Sequence, residues 1–116
     1  MYFLVDKNQL AIVHKHENPT ALRLLGWIEC ANYFSVVSCK DVRGLTAEFT
    51  FTAMARIYEN ATGAKMNPYS GFLPSAILKA ALRMKETDLS MPDLERQAAM
   101  VRDGSALNYS YRKGAE

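Results

Sequence analysis

The sequence predicts a small α+β domain: a mostly antiparallel sheet of three strands, with a fourth available from the tail, packed against three to four helices in the order β-β-α-β-α-α-α. Three observations carry that expectation. Short β-rich runs open the chain and recur at Tyr33–Cys39. Between Gly44 and Gly63 the apolar residues Leu45, Phe49, Ala53 and Ile57 fall on one side of a helix, which marks this stretch as the central helix. Two further helical patterns follow it, each opening at or beside a proline.

Tyr2 to Val5 is an apolar run, Asp6-Lys7-Asn8 supplies turn residues, and Gln9 to His14 resumes with Leu10 and Ile12 alternating against Ala11 and Val13. Two such runs around a polar break predict a hairpin, although no glycine marks its turn. Asn18 followed by Pro19 has the form of a helix N-cap with proline in the first turn, and the helix extends through Leu22 and Leu25 to about Cys30. Gly26 weakens that helix unless it lets another element approach closely. In the third strand one face carries Tyr33, Ser35, Val37 and Cys39, the other Phe34, Val36 and Ser38. Neither face is polar, which places the strand inside the sheet. The central helix, 45–62, has a rival over Glu48–Ala53, where EFTFTA alternates like a strand. The long 3.6 period and Gly63 as its C-cap favour helix. Ala64 to Phe72 is a loop, Pro74 opens a helix to about Lys85, and Ser90 and Asp93 have the spacing of a capping box before a last helix over 91–103. The expected arrangement covers one face of the sheet, with the central helix directly upon it.

Residues 1–116 form one predicted domain, in which 105–116 is either an edge strand through Leu107 to Tyr111 or a loose end. Apolar residues make up 49% and charged residues 22% of the chain, a composition that folds. The net charge of +2 arises from 14 basic and 12 acidic groups mixed together, which neither favours nor excludes nucleic acid. With two cysteines a disulfide scaffold is not expected, and the cytoplasm is the expected compartment. MYFLVDKNQ lacks the basic region of a signal peptide, and no apolar window approaches a membrane span.

Four residues could in principle gather a metal: His14 and His16, which share the Leu10/Ile12 face if the strand runs on, with Cys30 and Cys39. Their spacing matches no compact zinc motif, so no metal and no cofactor is expected. A cysteine nucleophile needs a nearby cation or a helix N-terminus. Cys30 lies at the wrong end of its helix, and Cys39, beside Lys40 and near Arg43, is only slightly better placed. Glu48 and Glu59 stand eleven residues apart, roughly 16 Å along a helix, too far for paired carboxylate catalysis and suited to solvated helix charges. No glycine-rich phosphate loop occurs.

Enzyme constellations thus fail on geometry or count, and the expectation is a small binding or regulatory protein that docks on another protein, with a second copy of itself among the options. Tyrosine and methionine, six of each, are well suited to contacts. Met66, Tyr69, Phe72, Met91, Tyr109 and Tyr111 lie in or beside predicted loops and ends and are the protein-binding candidates. The alternative is a nucleic-acid-binding accessory protein using Lys79, Arg83, Lys85, Arg112 and Lys113, with Tyr109 and Tyr111 for stacking, and the remote alternative is a small enzyme pairing Cys30 or Cys39 with His14 or His16. The last two helices would then form a helix-turn-helix, although Asp93 and Glu95 would repel phosphate where the second should enter the groove. Unpaired sheet edges, if present, would themselves invite a partner strand.

Overall fold

The computed structural model describes residues 1–102, so both options for 105–116 lie outside the described residues. The elements are β1 (Tyr2–Asp6), β2 (Ala11–His16), α1 (Pro19–Glu29), β3 (Phe34–Ser38), α2 (Val42–Glu48), α3 (Phe51–Thr62), α4 (Leu73–Arg83) and α5 (Met91–Arg102). The three strands form an antiparallel sheet in the order β2-β1-β3. The first strand is therefore the central one and β3 is an edge, contrary to the inner position expected from its two apolar faces.

Those two apolar faces have a different cause: helices cover both sides of the sheet. Phe3, Val5 and Val37 face a core built with Leu45, Met54, Ile57, Leu73 and Ile77 from α2, α3 and α4. Leu4 on the opposite side packs with Leu22 and Leu25 of α1 and Leu94 of α5, joined by the partly buried Phe34 and Val36. The one-sided cover expected from sequence is thus replaced by a sheet between two helical layers. A short strand with both faces covered has no reason to alternate apolar with polar.

The hairpin turns over Lys7–Leu10 without glycine. Asp6 accepts a hydrogen bond from the Asn8 amide at 2.8 Å, and Leu10 adopts a left-handed φ of 53°. Such a conformation is unfavourable for leucine unless neighbours hold it. Asn60 of α3 does so, donating to the carbonyls of Gln9 at 3.2 Å and Leu10 at 2.9 Å. Farther along, β2 pairs Leu4 with His14 but Val5 with Ile12, leaving Val13 as the extra residue of a β-bulge. The bulge reverses the side-chain alternation. His14 and His16, opposite Leu4 and Tyr2, consequently leave the face of Ile12 on which simple alternation had placed them.

Asn18 caps α1 as its sequence indicates, accepting from the amides of Thr20 at 2.9 Å and Ala21 at 3.4 Å, with Pro19 in the first turn. Gly26 is buried beneath the Phe34 ring, whose carbons would lie 2.5 Å from any added Cβ. It is the close approach of α1 to β3 that requires glycine there.

The central helix is two helices. Phe49 ends α2 in an extended conformation (φ −133°, ψ 141°), and Thr50 begins α3 by accepting a hydrogen bond from the Ala53 amide. Neither a continuous 45–62 helix nor a strand over 48–53 is present. Gly63 does close α3, in the left-handed conformation at φ 76°. At the start of α5, Asp93 pairs with Arg96 instead of completing a capping box with Ser90.

Candidate functional site

The alternation of an antiparallel ladder determines which way each backbone group of the edge strands points. Lys7 donates its amide to the Tyr33 carbonyl, and Cys39 donates its amide to the Met1 carbonyl, at the two ends of the β1–β3 pairing. With the register Phe3↔Val37 and Val5↔Ser35 between them, Ser35 and Val37 direct their amides and carbonyls to β1. Phe34, Val36 and Ser38 direct theirs outward. Among the described residues, only the Ser38 carbonyl of this outward set is used, by the Asp41 amide at 3.0 Å.

Along that strand lies a groove of about 450 Å³, lined by β3 and α2 and, at one end, by Tyr2 of β1. Asp41, Gly44, Ala47 and Glu48 form its helical wall, spaced so that all four lie along one side of α2. Gly44 makes room for the cap, since a Cβ there would collide with Asp41 Oδ2. Asp41 Oδ1 accepts from the Gly44 amide at 2.8 Å. Glu48 Oε1 accepts both the Ser35 hydroxyl and Lys7 Nζ, the latter at 3.2 Å. These two bonds, the Ser35 hydroxyl foremost, hold the Glu48 carboxyl below its ordinary pKa. Glu48 is therefore a bonded anion at the groove, not merely the solvated helix charge expected from sequence. Lys7 also lies 5.6 Å from the Tyr33 ring centroid and 5.9 Å from that of Phe49, in a neighbouring cavity that shares Glu48 with the groove.

The opposite edge is covered at Lys15. There β2 meets the segment after α4: the Thr87 amide donates to the Lys15 carbonyl at 2.9 Å, and the Lys15 amide donates to Thr87 Oγ1 at 3.4 Å. Lys15 is only 8% exposed, and its Nζ donates to the carbonyls of Leu82 at 2.6 Å and Met84 at 3.0 Å. A cation at the carbonyl end of α4 suits both the helix dipole and its unsatisfied acceptors.

The residues proposed from sequence do not form one site. Tyr69 and Phe72 are 82% and 80% exposed on the loop before α4, while Met66 of the same loop leans on the core of the α3–α4 layer. Met91 packs in the other layer, against α1 and α5. Tyr109, Tyr111, Arg112 and Lys113 lie outside the described residues. Lys79, Arg83 and Lys85 are exposed, but α4 and α5 belong to opposite sides of the sheet, so the helix-turn-helix arrangement is not formed.

Cys30 and Cys39 are buried and unpaired, one in each core, and cannot join in a common ligand set. His14 bonds Thr87 Oγ1 and Glu29, whereas His16 Nδ1 accepts from the Asn18 amide and its Nε2 lies 4.0 Å from Glu86. No group of three or more potential ligands converges among the described residues. Burial, with Asp6 and Glu29 nearby, pushes the Cys30 thiol up to about 11, and burial also raises Cys39. Such thiols are poor nucleophiles near neutrality.

What fold and geometry define is a small α+β domain whose β2 edge is covered at Lys15 and whose β3 edge, among the described residues, is uncovered at Phe34 and Val36. No family model matches the chain, and no curated protein or solved structure is significantly similar to it. No helix among the described residues is long and apolar enough to cross a membrane.

Proposed function

We propose that this protein is a small binding or regulatory protein that works by docking on another protein, and that the outer edge of β3 is where it docks. The observation that carries this reading is the unpaired backbone of Phe34 and Val36 facing the groove beside α2. Unpaired edges are a liability that folds commonly blunt with charges, proline or a covering segment. Here the β2 edge has such a cover and the β3 edge has none among the described residues. Strand addition converts that liability into affinity through main-chain hydrogen bonds.

A pull-down from the source cells, with the full chain as bait at low and high salt, tests the reading. The variant Val36→Pro removes one outward amide while leaving the inward bonds of Ser35 and Val37 in place. The expected result is a stoichiometric protein retained at both salt concentrations by the parent chain and lost from the folded Val36→Pro variant. Equal retention by both chains would contradict the reading. Recovery of nucleic acid alone, released as salt rises, would promote the basic residues of α4 in its place.

A further inference from the structure

We propose that the occupant of the β3–α2 groove is an extended peptide segment of a partner protein, added as a fourth strand and carrying lysine or arginine on the side that faces α2. This inference rests on the docking reading above and adds the partner's chemistry.

The backbone determines the shape of the occupant. Phe34 and Val36 each present an amide and a carbonyl to the groove, at positions two residues apart. Ser38 adds an amide only, because its carbonyl is already taken by Asp41. A helix cannot satisfy donors and acceptors in that alternation, whereas an extended strand meets them in register. The engaged length is short, since β3 itself spans only Phe34–Ser38.

Charge determines the side chains. Of the residues lining the groove, Asp41 and Glu48 carry charge and both are acidic, with Lys7 already paired to Glu48 from outside the lining, while Gly44 and Ala47 between them leave the wall low. Both carboxylates have one oxygen committed, Oδ1 to the Gly44 amide and Oε1 to Ser35 and Lys7. Among the described residues no partner reaches Asp41 Oδ2 or Glu48 Oε2. The two residues are seven apart on α2, about 10 Å along the helix, a span that basic side chains from alternate residues of a strand can bridge. Lysine or arginine supplies donors of the complementary sign. A phosphate-bearing ligand would instead meet two carboxylates.

The same charges disfavour a second copy as occupant. Antiparallel pairing of β3 with itself about Val36 would set the Asp41 end of one α2 beside the Glu48 end of the other, acid against acid. Like charges so placed oppose association.

The test uses the isotope-labelled full chain and three capped ten-residue probes: alternating valine and lysine, alternating valine and glutamate, and the lysine probe N-methylated at alternate residues. Saturation with the lysine probe is expected to slow amide exchange of Phe34 and Val36 at least about tenfold, with little change at Ser35 and Val37, which are already bonded to β1. The double variant Asp41→Asn, Glu48→Gln should weaken that binding about tenfold. The glutamate and N-methylated probes should not protect.

Absence of protection by the lysine probe, or equal protection by the glutamate probe, would overturn the inference. So would protection already present in the free chain: relieved by dilution, it would identify a second copy as the occupant; relieved by Arg112→Glu with Lys113→Glu, it would identify the chain's own C-terminal segment. The pull-down keeps the two levels apart. A cellular partner that depends on Val36 while the lysine probe fails would preserve the docking reading and refute the basic peptide. Failure of both would refute the reading itself.

Discussion

The two edges of this sheet have been treated in opposite ways. On β2, the backbone of Lys15 is paired with Thr87 and its side chain is pinned to the last carbonyls of α4. On β3, Phe34 and Val36 point backbone that is unpaired among the described residues along a groove, although helix α1 presses close enough from one side to demand Gly26. Both edge strands thus contribute to the cores, but among the described residues only β2 is bonded to a distant covering segment, at Lys15. Packing of the faces and closure of the edges are separate problems, solved by different residues.

Each side of that contrast can be broken by substitution. The largest effect is expected beside the open edge. In Gly26→Ala the new Cβ would collide with the Phe34 ring, and such overpacking should cost about 1–3 kcal/mol in denaturant unfolding. Combining it with Phe34→Ala should recover little net stability, because the lost ring leaves its own gap, but the two effects should be non-additive. Strict additivity would show that the ring and the glycine do not meet.

At the closed edge, Lys15→Met removes both charge-assisted bonds to the end of α4. A loss of about 1–2 kcal/mol is expected, because the apolar side chain restores part of the packing while the carbonyls lose their donor. Local exchange at Thr87 should rise with it. An unchanged Thr87 amide would separate the side-chain clamp from the backbone closure.

The smallest effect belongs to Glu48→Gln, which should destabilise the fold by less than about 1 kcal/mol at neutral pH, because the Glu48 side chain is 47% exposed. Its pH dependence has a definite sign. The folded carboxyl titrates below its ordinary value, so its contribution is present above the ordinary glutamate range and disappears as pH falls through the lowered folded value. Parent and variant should converge in acid. A difference that grows toward low pH would contradict the Ser35 and Lys7 bonds as its source.

Much of the local structure was legible because it is decided by neighbouring residues. Asn18-Pro19 and Gly63 mark helix ends through their own chemistry, and Gly26 signalled a close approach before its partner was known. Leu45, Phe49 and Ile57 do share one core, but the extended backbone at Phe49 and Thr50 divides the single helix expected over 45–62. That break could have been sought at Thr50, a residue suited to capping. The bulge at Val13 and the left-handed Leu10 are different in kind. The first requires the register against β1, and the second is held by Asn60, some fifty residues along the chain.

The candidate site was the least legible part for the same reason. Nothing in the residues around Ser35 announces Glu48 as its acceptor, and the absence of a partner for Val36 is a property of the assembled sheet. Tyrosines and methionines in loops drew the sequence reading elsewhere. The backbone edge has no side-chain signature beyond a β-rich strand flanked by turns.

The most direct measurement is native-state amide exchange of the full chain, comparing Val36 on the open edge with Lys15 on the closed one, and with Ser35 and Val37 as bonded neighbours. Val36 is expected to exchange at least about tenfold faster than Ser35, Val37 and Lys15 under conditions that preserve the fold. A Val36 amide as strongly protected as its two neighbours would show that the β3 edge is already paired and unavailable for docking.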